Sequence, residues 1–229
     1  MRTREWCSPC LTLLFAGLVA CSRPPQSTAD PSTRQQPQLP PSSAAGAPAL
    51  PAPAWVAAAR RQIGVTVRYD PAYVRLGYPG GDVAADRGVC TDVVIRAFRT
   101  QGLDLQRSVH EDMRAHFDTY PKHWGLRAPD ANIDHRRVPN LQRWFERQGW
   151  NLAISERNQA YQPGDLVTWD LGGNVPHIGI VSERRSISGP PLIIHNIGRG
   201  AREDNILFDY RITGHYRPQG LQRAVSSRE

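Results

Sequence analysis

Lysine is almost absent from this chain: of its 28 basic residues, 27 are arginine and only Lys122 is lysine. The formal charge of +7 is interleaved with 21 acidic residues, and no run of five or six cations occurs. That excludes a concentrated basic arm for nucleic acid. Attraction to an anionic cell envelope and a plain compositional bias toward arginine both account for the charge. The apolar run Leu11–Ala20 covers ten residues, about half the ~20 that a permanent membrane span needs. There is no internal repeat and no compact metal-binding motif. His110-Glu111-Asp112-Met113-Arg114 begins like a zinc-protease helix, but Arg114 stands where the second histidine would be. No metal and no cofactor is expected.

Cysteine is scarce too, with only Cys7, Cys10, Cys21 and Cys90. Arg2 and Arg4 precede the short apolar run, and Leu18-Val19-Ala20-Cys21 follows the pattern of a bacterial lipobox. Residues 1–20 are therefore expected to be a lipoprotein signal peptide. Cys21 would carry the lipid and hold the protein on a membrane facing the periplasm, by expectation the outer one. Cleavage there would leave Cys90 as the one free thiol. An exported protein usually pairs or avoids cysteine, so such a thiol is buried and inert, bonded to another chain, or kept for chemistry.

Residues 21–54 read as a disordered tether: positions 22–54 hold nine prolines and almost no large apolar side chain. Extended at ~3.1 Å per residue, this stretch would reach on the order of 100 Å, from a membrane toward the cell wall. The folded domain is expected over 55–229, as a monomer. Helices are predicted from Trp55 to Gly64, from Val89 to Gln101, over 109–118 and over 138–148. Strands are predicted at 166–169, 177–181, 192–196 and 206–210. Helices first and antiparallel strands after them make an α+β fold.

Cys90 opens the second helix, where free N–H groups and the helix dipole favour a thiolate. Asp92, a nearby anion, works against this, and a small buried core residue is the bland alternative. His177 begins a strand with Gly179 on its own face, leaving room beside the ring. If 177–183 and 191–196 pair about a turn centred on Ser186, His177 and His195 lie directly opposite each other. A slip of one residue would select Asn196 instead. Arg199, in Gly198-Arg199-Gly200, could meet a substrate carboxylate. Trp124, Trp144 and Trp150 are expected in the core, and His116, His123 and His135 at the surface.

These residues resemble the NlpC/p60 cysteine peptidases, a papain-like group that hydrolyses amide bonds in peptidoglycan stem peptides. Cys at a helix start, His-Ile-Gly-Ile-Val at 177–181, Ile-Ile-His at 193–195, Pro163-Gly164-Asp165-Leu166 and Tyr78-Pro79-Gly80-Gly81 carry the likeness. It is nearest to domain-of-unknown-function family 1287, through Gly-Val-Cys-Thr-Asp-Val-Val-Ile-Arg-Ala at 88–97 and His-Asn-Ile-Gly-Arg-Gly at 195–200. The resemblance covers about residues 55–217. It implies a papain-like fold with N-terminal helices packed on an antiparallel sheet. It also implies Cys90 as nucleophile, His177 as general base, His195 as its orienting residue and Tyr78 beside the oxyanion. Asp92 and Arg199 would be weaker substrate contacts. Thr91-Asp92 departs from the group's usual Ser-Gly, and 87 residues separate Cys90 from His177. Those departures bear on the substrate more than on the chemistry. Two other readings fit the same residues: an acyltransferase or amidase acting on another acyl group, and a cell-wall binding module without turnover.

Overall fold

The computed structural model describes residues 51–221. The predicted signal peptide, the lipidation site Cys21 and nearly all of the predicted tether lie outside the described residues. Among the described residues no helix is long and apolar enough to cross a membrane.

Four α-helices precede most of the sheet, in an α+β arrangement. They are α1 (Ala54–Arg60), α2 (Cys90–Arg99), α3 (Leu105–His116) and α4 (Val138–Arg147). The helix predicted at 109–118 starts four residues earlier, because the Asp104 carboxylate caps its first turn by accepting from Gln106 N. In α2 the stripe Val93, Val94, Ala97 and Phe98 is wholly buried, each large side chain contributing about 1.5–3 kcal/mol by leaving water. Pro139 sits in the first turn of α4, where its missing N–H costs nothing. Trp144, Phe145 and Trp150 form one aromatic cluster, with Phe145 and Trp150 stacked at 5.6 Å.

Two short strands, β1 (Arg68–Tyr69) and β2 (Arg87–Gly88), pair in parallel just ahead of α2. The main sheet comprises β3 (Asn151–Leu152), β4 (Leu166–Asp170), β5 (Pro176–Arg185), β6 (Pro191–Asn196), β7 (Ala201–Asp204) and β8 (Arg211–Tyr216). Its order is β3-β8-β4-β5-β6-β7, antiparallel throughout. Both faces are covered. Leu166, Ile178, Ile180 and Ile194 pack under the helices, while Val167, Trp169, Val181 and Ile193 pack against Tyr161 and Leu207.

The strand predicted at 206–210 is not one. Ile206 to Tyr210 forms a turn whose Leu207 plugs the second core, its carbonyl accepting from Trp169 Nε1 at 2.9 Å. The flanking segments, β7 and β8, are the strands instead. His135, expected at the surface, is 2% exposed, and Trp124, expected in the core, is 56% exposed with a left-handed backbone (φ 66°).

Candidate active site

Strands β5 and β6 bring His177 and His195 together, in a register that differs from the predicted one. Ile180 pairs with Ile194 and Val181 with Ile193, which sets His195 across from Gly179 rather than His177. A shift of two residues keeps side chains on the same face, so the two histidines meet diagonally. Their ring nitrogens, His177 Nε2 and His195 Nδ1, are 2.9 Å apart. The room that Gly179 leaves is filled by β6: a Cβ there would stand 2.4 Å from Ile193 Cγ2 and 3.2 Å from His195 Cβ. Gly179→Ala is therefore expected to cost about 1–3 kcal/mol through overpacking and to push the two rings apart. A denaturant midpoint indistinguishable from the parent's would refute this.

The chain of bonds continues to a residue that sequence reasoning missed. His195 Nε2 lies 3.2 Å from Asp204 Oδ2, and Asp204 is gripped by Arg202 through Nε at 2.8 Å and Nη2 at 3.0 Å. Burial works to raise the Asp204 carboxyl, but Arg202 and His195 outweigh it and hold it below the ordinary range. An ionised carboxylate only accepts, so His195 donates from Nε2 and presents a lone pair at Nδ1. His177 must then donate from Nε2, which leaves the lone pair on its Nδ1. That atom has no hydrogen bond among the described residues, yet it is not one of the sealed polar atoms lacking a partner. Burial, and then the neighbouring His195, pull the His177 pKa down to about 3, and burial lowers that of His195 as well. Both rings rest neutral.

Cys90 is the first residue of α2 and the one free cysteine among the described residues. It lies toward the helical face of the sheet, and the backbone N–H of Ile178, the residue after His177, is near enough to favour the ionised sulfur. Among the described residues no hydrogen bond joins Sγ to His177 itself. The surroundings work against the expected thiolate. Burial pushes the Cys90 thiol up to about 12, the Ile178 N–H opposes this, and Asp92 adds to it. With Cys90 only 4% exposed, desolvation outweighs the helix terminus.

A cleft of about 390 Å³ reaches Cys90, lined by Tyr69, Val89, Trp124, Arg137, Pro139 and Pro176 among others. A second depression of about 590 Å³ shares Trp124, Pro139 and Pro176 and extends to Asp170 and Arg211. Pro176, immediately before His177, lies on the edge common to both.

Three predicted contacts are not brought to this cleft. Tyr78 is packed edge-on against His110 at 5.2 Å, and Tyr69 lines the cleft in its place, close enough that Cys90 helps to raise its hydroxyl pKa, after burial. Arg199 is exposed in the turn between β6 and β7. Asp92 is buried and neutralised: Arg136 Nε and Nη2 reach its two oxygens at 3.0 and 2.9 Å, and it caps α2 by accepting from Val89 N at 2.6 Å. Its partner Arg136 carried no signal in the sequence, because the ion pair joins residues 44 apart. Asp204 was equally hidden, since Ala-Arg-Glu-Asp has none of the alternation by which a strand is recognised.

Fold and site together define an α+β protein whose antiparallel sheet carries a His–His–Asp chain near Cys90, at a helix start, the one cysteine among the described residues. The chain belongs to the family described as "Domain of unknown function (DUF1287)", which matches residues 56–218. It is also similar to the "Uncharacterized protein YijF" of Escherichia coli (strain K12), at 57% identity over 159 residues, spanning 69% of this chain and 78% of that protein.

Proposed function

We propose that this domain is a cysteine hydrolase of NlpC/p60-like, papain-like design that cleaves amide bonds, with peptidoglycan stem peptides as its substrate class. In the same reading, lipidated Cys21 anchors it to a membrane facing the periplasm. The observation that carries the proposal is the hydrogen-bonded chain: Asp204 and His195 leave His177 with a lone pair on an unpartnered Nδ1, next to Ile178, whose backbone N–H favours the ionised Cys90 sulfur.

With thiol and ring both neutral, attack proceeds by general base catalysis rather than from a preformed ion pair. His177 Nδ1 takes the Sγ proton as sulfur bonds to the substrate carbonyl carbon. The oxyanion is met by the Cys90 N–H, free at the first helical position, and by the Tyr69 hydroxyl. His177 then protonates the leaving amine, and a thioester remains. Water, deprotonated by the same nitrogen, releases the acid and restores the thiol. His195 and Asp204 hold the tautomer and stabilise the charge that His177 carries midway.

The test is incubation of purified peptidoglycan with the parent chain and with Cys90→Ala, scoring new amino groups and the masses of released fragments. New amines with the parent and none with the variant are expected. Peptidoglycan that is bound equally by both, with no new amine, would favour a binding module. Turnover only when an amine acceptor is supplied would favour an acyltransferase.

A further inference from the structure

The two halves of the site are not in one hydrogen-bonded chain, so something must register the thiol against the imidazole. Consecutive residues of β6 point to opposite faces. His195 faces His177, and Asn196, fully buried, faces the other way. The Asn196 Nδ2–H donates to Gly88 O at 3.0 Å, across 108 positions of sequence. Its Oδ1 accepts from Gly198 N at 3.2 Å.

Gly88 stands two residues ahead of Cys90, and the intervening turn is held at few points. Gly88 O also accepts from Asp70 N at 3.1 Å, Val89 N is taken by Asp92, and Thr91 Oγ1 donates to Arg136 O at 3.1 Å. Of these contacts, the one made by Asn196 runs to the strand that also carries the orienting histidine.

We infer that Asn196 is a positioning residue: through Gly88 it fixes where the Cys90 sulfur stands relative to His177. This rests on the hydrolase reading for its catalytic meaning, although the positioning of the thiol can be measured without turnover. An amide suits the place because one group donates to Gly88 O and accepts from Gly198 N. A carboxylate keeps only the second bond and sets oxygen against oxygen at Gly88, so Asn196→Asp isolates the contact.

The experiment compares the full chain, Asn196→Asp and Met113→Ala, the last being a core destabilisation in α3 away from the cleft. Native-state alkylation of Cys90 by iodoacetamide is followed well below every unfolding midpoint, with KM and kcat on a peptidoglycan fragment in parallel. A misplacement near 1 Å predicts kcat lower by about tenfold to a hundredfold with KM nearly unchanged. Alkylation should be faster by about tenfold, as the turn no longer seals the thiol, whereas Met113→Ala should lose stability and change neither. Asn196→Asp that matches Met113→Ala in both measurements would make Asn196 merely structural and overturn the inference. If the parent shows no turnover at all, the hydrolase reading falls, and the alkylation rates alone decide the role of Asn196.

Discussion

Replacing Arg136 with alanine should lower folding stability by about 3–5 kcal/mol, the loss expected when one partner of a buried ion pair is removed. The side chains of Arg136 and Asp92 are 2% and 4% exposed. Besides its two bonds to Asp92, the guanidinium donates to Ala72 O and Asp70 O, each at 3.2 Å, tying the segment after β1 to the start of α2. The substitution strands a carboxylate in the interior and frees that segment. Arg136→Met combined with Asp92→Asn should recover most of the loss, because no charge remains buried and the amide oxygen still accepts from Val89 N. Urea unfolding decides the matter. A loss under about 1 kcal/mol in the single variant would mean the pair is not buried in solution.

On the hydrolase reading, replacing His177 with glutamine should abolish turnover, by about 10³-fold or more, since the general base is lost. It should also change how stability depends on pH. In the native protein His177 titrates at about 3 against an ordinary 6.5. Between those values the unfolded chain binds a proton that the native fold refuses. Stability therefore falls as pH drops through that window, at most by about 1.4 kcal/mol per pH unit for one group. His135, lowered to about 4 by burial, acts in the same direction. Asp134, raised to about 6 by burial, acts against it, as its native carboxyl binds a proton that the unfolded one has released. His177→Gln should flatten the slope by about one proton. On the same reading, the acid limb of the parent chain's kcat/KM should lie well below pH 6.5, because the base stays neutral. An acid limb centred near 6.5 would contradict the neutral pair.

How much of this could be read in advance differs from element to element. The stripes of α2 and α4 and the apolar runs of β4, β5 and β6 were legible because periodicity is local: the side chains that must leave water recur at the spacing of the element. The pairing of His177 with His195 was legible in part. Parity along a strand places both on one face whenever the register shifts by an even number, and the observed shift is two. Register itself was not legible, since it depends on the irregularity between Val181 and Arg185 and on close contact at Gly179. Strand β7 was invisible because its residues are polar, so Asp204 went with it.

The sequence by itself determined an α+β chain with a cysteine at a helix start and two histidines on one sheet face, because these follow from composition, helix signals and strand alternation. The tertiary structure alone decided that Asp204 completes the chain, that Tyr69 and not Tyr78 lines the cleft, that Arg136 neutralises Asp92, and that burial works against the Cys90 thiolate. Each of those depends on burial or on partners tens of residues distant, and the energy of a charge or a proton is set by everything packed around it.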